Sequence, residues 1–109
     1  MDELAQASCM PLPAGTPPLT AKEIAVGLAR LPGWEHVEGA IRRRFFFAGF
    51  AETIAFVNKV AAIAAHEDHH PEMLVGYDQC RVAYSTHSVG GISQNDFICA
   101  AKIDALCAT

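Results

Sequence analysis

The sequence predicts an α+β fold: a four-stranded antiparallel sheet with helices packed on one face, in the order α-β-β-α-β-β-α. Segments with helical periodicity alternate with pairs of short apolar segments that read as strands. Glu38-Gly39 and Asp78-Gln79 supply turns inside the two strand pairs. With 109 residues the chain has room for one domain only. Hairpins separated by helices favour an antiparallel sheet.

Composition and charge exclude several classes of protein. A net charge of −4 argues against a direct nucleic-acid binder, which needs a basic face. No apolar run reaches membrane-spanning length, and the acidic N-terminal residues differ from a signal peptide, so we expect a cytoplasmic protein without a membrane partner. The 51% hydrophobic content is more than a small monomer hides, which predicts contact with another subunit.

Residues 1–18 are expected to form a flexible proline-rich tail, and residues 19–109 the single domain. Four of the six prolines lie in the tail: Pro11, Pro13, Pro17 and Pro18. Proline breaks both helices and central strands, so we expect neither there. The domain's first helix begins at Thr20, whose spacing to Glu23 forms a capping box, and it ends at Pro32-Gly33.

The middle of the domain is predicted to hold a hairpin and a long helix. The strands are Trp34–Val37 and Ile41–Phe47, with Phe45 and Phe47 on the core side. The helix runs from about Phe50 to Glu67. Its main apolar stripe is Phe50, Ile54, Val57, Ala61 and Ala64, widened by Phe56, Val60 and Ile63. So wide a stripe predicts contact on two sides of the helix.

The last third is predicted to hold a second hairpin and a final helix. The strands are Met73–Tyr77 and Cys80–His87, and Gly90-Gly91 then interrupts regular structure. The helix begins at Ser93 and runs to about residue 106, with Asp96 at the position of a capping acid. Capping alone would account for this aspartate.

Four of the five histidines lie within 22 residues, at positions 66, 69, 70 and 87. His66 to His70 matches the H-E-x-x-H pattern, in which two histidines share one helix face and bind zinc. Pro71 disfavours helical geometry at His70, so the helix should end at or before His69. The two histidines then do not share a face, and we expect no metal site.

Proton transfer is the second hypothesis for these histidines. Pairing of the last two strands as a hairpin places the start of one beside the end of the other. His69 and His70 would then lie close to Thr86 and His87, with Ser85 and His87 on the open face of the sheet. Histidine titrates near neutral pH, which suits acid–base chemistry. The alternative is that these histidines are solvated turn residues.

At these residues the sequence resembles the pterin-4a-carbinolamine dehydratase family, over roughly residues 19–106. The matching segments are Leu31–Trp34, Asp68–Glu72, Tyr77, Ser85–His87, Gly91–Ser93 and Asp96, together with the phenylalanine-rich strand. The resemblance implies conversion of 4a-hydroxytetrahydrobiopterin to quinonoid dihydrobiopterin and water in tetrahydrobiopterin recycling. It implies no metal and no cofactor. It also implies a homodimer or homotetramer, and an aromatic amino-acid hydroxylase as pathway partner.

The resemblance further implies roles for individual residues. His69 and His87 would be the catalytic acid–base pair, His70 would bind and orient the pterin, and Asp96 would support the site. The remaining substrate-binding residues would be Asp68, Pro71, Ser85, Thr86 and Ser88.

Two positions depart from the family pattern. Ala65 stands where an acidic residue is frequent, and Met73 where an aromatic residue is common. The alternative function is a non-enzymatic dimerisation or assembly module, of the kind that serves a transcription factor or Rubisco. Such a module has no need of the histidine set.

Overall fold

The computed structural model describes residues 3–107. Its elements, in chain order, are α1 (Glu3–Gln6), α2 (Ala21–Ala29), β1 (Glu35–Val37), β2 (Ala40–Phe46), α3 (Phe50–Glu67), β3 (Glu72–Val75), β4 (Gln79–Tyr84), a short 3₁₀ helix (His87–Val89) and α4 (Gln94–Cys107). Thr20 caps α2 through the predicted capping box. Within the described residues, no helix combines the length and the apolar character needed to cross a membrane.

The four strands form one antiparallel sheet in the order β1-β2-β4-β3. This confirms the predicted α+β class with its four-stranded antiparallel sheet. The β1–β2 turn places Glu38 and Gly39 at positive φ, 51° and 79°, the backbone geometry of the tightest hairpins. The register pairs Glu72 of β3 with Ala83 of β4, so the start of β3 lies beside the end of β4. That neighbourhood was predicted from the hairpin, and it positions the candidate site.

The core lies between one sheet face and the helices. β2 and β4 contribute Ile41, Phe45, Val82 and Tyr84, which pack with side chains of α3 and α4. The predicted side of β2 is confirmed, because Phe45 is buried whereas Phe46 is 71% exposed.

Helix α3 has the predicted bounds, but the predicted stripe is wrong at two positions. The helix ends where Asp68 adopts a left-handed conformation, three residues before the proline. Its buried residues are Thr53, Phe56, Val60 and Ala64, whereas Phe50 and Ala61 are exposed. Phe56 packs against Phe45 of β2 and against Phe47, which follows that strand, with ring centroids 4.8 and 5.0 Å apart. These aromatic contacts orient the helix and turn Phe50 outwards.

The expectation that the N-terminal tail contains no helix is wrong for Glu3–Gln6. These residues form α1, which packs against α4 and buries Leu4. The first proline is Pro11, so no proline opposes a helical turn at residues 3–6. Residues 1–2 and 108–109 lie outside the described part of the chain. The domain boundary between residues 18 and 19 stays a prediction.

The fourth strand is shorter than predicted, and His87 lies outside it. Thr86 forms an isolated bridge with Gly91, and His87 begins the 3₁₀ helix. That helix ends at Gly90, which adopts a positive φ of 72°. The chain therefore turns back on itself between Tyr84 and α4, and this turn brings Thr86 to the N-terminal end of α4.

Candidate active site

The candidate site is built around the carboxylate of Asp96, in the first turn of α4. This side chain is fully buried, with 0% exposure. Its Oδ2 accepts hydrogen bonds from the Thr86 hydroxyl at 2.9 Å and from the Ser93 backbone N–H at 2.8 Å. A buried carboxylate needs such partners, because isolating its charge from water is costly. Asp96 therefore does cap α4 through Ser93, and its other oxygen is left for a further role.

That other oxygen, Oδ1, lies 2.5 Å from Nε2 of His69. The imidazole is mostly buried, and it stacks on the ring of Tyr84 with centroids 5.1 Å apart. The Tyr84 hydroxyl donates to the His69 carbonyl at 3.2 Å. Burial raises the pKa of Tyr84, so its hydroxyl keeps its proton and remains a donor. The ring of His69 is thus held from one edge and one face.

The hydrogen bonds around Asp96 define the tautomer of His69. We assign Asp96 as the ionised carboxylate, which can only accept, and its Oδ2 has two donors as partners. Nε2 of His69 must then carry the proton that it shares with Oδ1. In the neutral ring, Nδ1 is left as the nitrogen with a free lone pair. A histidine oriented by a buried carboxylate in this way can take up and release a proton.

A cavity of about 410 Å³ lies beside this pair. Four predicted site residues contribute to its lining: Asp68, His69, Thr86 and Ser88. The volume falls within the range of small-molecule sites, roughly 300–1,000 Å³. Another cavity, of about 320 Å³ beside α2, is lined by residues such as Leu19, Val26 and Phe97 and has no histidine in its lining. Of these two cavities, the first is the one that has a histidine, His69, in its lining.

The other predicted site residues have different positions. Asp96 lies behind the lining and reaches the cavity through His69 and Thr86. The lining does not include His70, Pro71, Ser85 or His87. Of these four, only Pro71 is partly buried, and the other three are exposed. The structure thus unites His69, Thr86 and Asp96 by direct contacts and leaves His70 and His87 open to solvent.

The H-E-x-x-H segment does not form the zincin arrangement. Because α3 ends at Glu67, His70 is not on the helix that carries His66. His66 is exposed and bonds to Glu67 at 2.9 Å. Between residues 3 and 107, no three His, Cys, Asp or Glu side chains lie close enough together to hold a metal ion.

Sequence reasoning missed the rest of the cavity lining. The remaining lining residues are Cys9, Met10, Pro11, Leu12, Glu67 and Asn95. The backbone N–H of Cys9 donates to Glu67 at 2.8 Å. This bond is the main reason that the pKa of Glu67 is lowered, with smaller contributions from His66 and Lys102. The prolines concealed this segment, and only the position of Asn95 beside Asp96 could have drawn attention to it.

Comparisons with known proteins match this chain to one family. Residues 17–106 match the model of the family described as pterin 4 alpha carbinolamine dehydratase. A relative from Nitrosospira multiformis is 49% identical over 106 residues, covering 97% of this chain and 94% of the relative. A relative from Stenotrophomonas maltophilia is 51% identical, covering 94% and 90%. Both carry the name "Putative pterin-4-alpha-carbinolamine dehydratase".

Two solved structures are similar to this chain. A transcriptional coactivator/pterin dehydratase from Brucella melitensis has a TM-score of 0.78 and 35% identity, covering 82% of this chain and 97% of that one. A pterin dehydratase-like protein described as a RuBisCO assembly factor in the alpha-carboxysome has a TM-score of 0.57 and 23% identity, covering 70% and 88%. The second likeness concerns the fold alone. With the family model spanning most of the sequence, this chain belongs to the pterin 4 alpha carbinolamine dehydratase family.

Proposed function

We propose that this protein dehydrates 4a-hydroxytetrahydrobiopterin to quinonoid dihydrobiopterin and water, as a hydro-lyase of tetrahydrobiopterin recycling. The observation that carries the proposal is the contact between His69 and Asp96 at the wall of a cavity of ligand size. Family membership supplies the substrate class. The reaction needs no change of oxidation state, so acid–base side chains suffice without a metal or a cofactor.

The reaction moves two protons. One proton leaves a ring nitrogen of the pterin, and another joins the 4a-hydroxyl as its bond to carbon breaks and water departs. We assign the first transfer to His69, whose Nδ1 is free while Asp96 holds Nε2. The developing imidazolium is stabilised by the Asp96 carboxylate.

We assign the second transfer to His87. Its exposure lets it recover a proton from solvent after each turnover. The substrate would also be contacted from the solvent-exposed side, where His87 lies, by His70, Pro71 and Ser85. Asp68, Thr86 and Ser88 offer polar atoms to the pterin from the cavity wall.

The test is a dehydration assay on enzymatically generated 4a-hydroxypterin, followed spectroscopically. We expect acceleration over the spontaneous reaction, and a loss of about 10²-fold or more in kcat for His69→Ala and for His87→Ala. His36→Ala is the matched control, because His36 is an exposed histidine of β1 outside the cavity lining. If the wild-type protein gives only the spontaneous rate, the proposal is wrong.

A second candidate function is a non-enzymatic dimerisation or assembly role on the same fold. Exposed apolar side chains favour it: Leu74 on the edge strand β3 is 59% exposed, and Phe46 on β2 is 71% exposed. The same surface would serve the homodimer or homotetramer that we propose. Sedimentation of the purified protein distinguishes a homodimer or homotetramer from a monomer. Co-purification of a different protein in stoichiometric amount would support the assembly role.

The cellular setting is proposed on the same basis. We propose that the protein works in the cytoplasm with its four cysteines reduced. The pathway partner would be an aromatic amino-acid hydroxylase, whose pterin product this reaction would recycle.

A further inference from the structure

Residues 9–12, called the strap below, lie across the cavity and are bonded to both elements that form its polar side. At the end of α3, Glu67 accepts from the Cys9 N–H at 2.8 Å. At the start of α4, the Asn95 side chain accepts from the Met10 N–H at 3.0 Å and donates to the Met10 carbonyl at 2.8 Å. Glu67 and Asn95 are each one residue away from a proposed site residue, Asp68 and Asp96 respectively.

We propose that the strap is a substrate-contacting wall of the catalytic pocket and that Asn95 is the positioning residue that holds it there. The inference takes the identity of its ligand, a pterin, from the proposed function. The strap precedes residues 17–106, which match the family model.

The chemistry of the two sides of the cavity supports this role. Asp68, Thr86 and Ser88 make one side polar, whereas Pro11 and Leu12 of the strap make the other side apolar. A pterin is a flat bicyclic ring with hydrogen-bonding edges and apolar faces. Such a ring suits a pocket with one polar and one apolar side, because its edge groups keep partners while a face leaves water.

The two hydrogen bonds of Asn95 fix the position of the strap backbone. The Asn95 side chain is 8% exposed, and both of its polar groups bond to the backbone of Met10. Because Asn95 bonds to the N–H and to the carbonyl of Met10, it positions the strap backbone independently of the Met10 side chain. The strap therefore keeps its distance from His69 before any ligand binds, which avoids the cost of ordering it on binding.

The decisive variant is Asn95→Ala, which removes both bonds to the strap. We expect KM for the 4a-hydroxypterin to rise about tenfold, because each hydrogen bond that holds the strap contributes only a modest net free energy. We expect kcat to stay within about threefold, since general acid–base catalysis remains with His69. Leu12→Ala leaves the backbone bonds intact and should raise KM about fivefold by removing apolar contact. Ser8→Ala, an exposed position outside the lining, is the control and should leave both constants unchanged.

Binding of unreactive 7,8-dihydrobiopterin, measured by fluorescence titration, separates this inference from the proposed function. If the wild type binds it without dehydrating the 4a-hydroxypterin, and both variants weaken binding, the function is wrong and the strap inference holds. The inference is overturned if the wild type does not bind this pterin. It is also overturned if folded Asn95→Ala and Leu12→Ala keep wild-type KM and affinity, or if Asn95→Ala lowers kcat alone.

Discussion

Replacing Asp96 by asparagine tests whether this residue controls the protonation of His69. The amide has the size of the carboxylate, but only one of its two terminal atoms can accept. Its oxygen is expected at the Oδ2 position, where Thr86 and Ser93 both donate. The NH₂ group then faces Nε2 of His69, in place of an acceptor. The imidazole must respond by moving its proton to Nδ1.

The consequence for the reaction is larger than the consequence for folding. With the proton on Nδ1, His69 presents a donor where the mechanism needs a lone pair. The same change costs about 10⁴-fold in kcat in Ser-His-Asp hydrolases, so we expect kcat to fall about 10²–10⁴-fold with little change in KM. For stability, the two bonds retained at Oδ2 become bonds to a neutral acceptor and lose roughly 1 kcal/mol each. The free energy of unfolding should therefore drop by about 2 kcal/mol.

Three measurements check this prediction. Stopped-flow dehydration gives kcat and KM, urea denaturation gives the unfolding free energy, and ¹⁵N NMR of the imidazole reports the tautomer of His69. Asp104→Asn is the matched control: Asp104 is another aspartate of α4, and it bonds to Arg43 and Trp34 instead of to the site. It should lower stability without lowering kcat. Wild-type kcat together with an unchanged His69 tautomer in Asp96→Asn would refute the reasoning.

Three further predictions concern stability, pH and thiol accessibility. Thr86→Val removes a hydroxyl that bridges two buried polar groups, so the free energy of unfolding should fall by about 1–3 kcal/mol in urea titrations; a change below about 0.5 kcal/mol would contradict the buried network. The folded-state pKa of Glu67 lies below its ordinary value of 4.5, so its contribution to stability is present above that value and is lost as pH falls through the folded pKa. The protection factors of the strap amides, which are corrected for the intrinsic pH dependence of exchange, should then fall in acid, and the Glu67→Gln variant should not show this fall. A colorimetric thiol reagent should label the exposed Cys107 first, whereas the buried Cys80 and Cys99 should react only after unfolding; burial raises the thiol pKa of all three cysteines, so accessibility decides the order.

The elements that follow local rules could be predicted from the sequence. Helix α3 has the predicted bounds, because the proline after His70 and the left-handed Asp68 end it by backbone sterics alone. The Glu38-Gly39 turn sets the first hairpin in the same way. Pairing of β3 with β4 then placed His69 near Thr86 without any long-range assumption.

Features that depend on tertiary contacts could not be predicted. The four-residue helix α1 is too short to be stable alone, and it packs on α4, almost the full length of the chain away. The outward turn of Phe50 follows from aromatic packing elsewhere on α3. Alternation along β4 predicted that His87 lies on the open face of the sheet; His87 is exposed, but it lies in the 3₁₀ helix beyond the end of β4.

The strap contacts residues of α4 that lie far from it along the sequence, and this separation sets the order in which the pocket is assembled. Met10 and Asn95 are 85 residues apart, and Lys102 donates to the carbonyl of Ala5 across 97 residues. During synthesis on the ribosome, the strap emerges before its partners on α4. Contacts of such long separation form after local ones, because the entropy of closing a large loop must be overcome. The pocket is therefore completed only after α4 has left the ribosome, so a nascent chain cannot hold a formed pocket before α4 has folded.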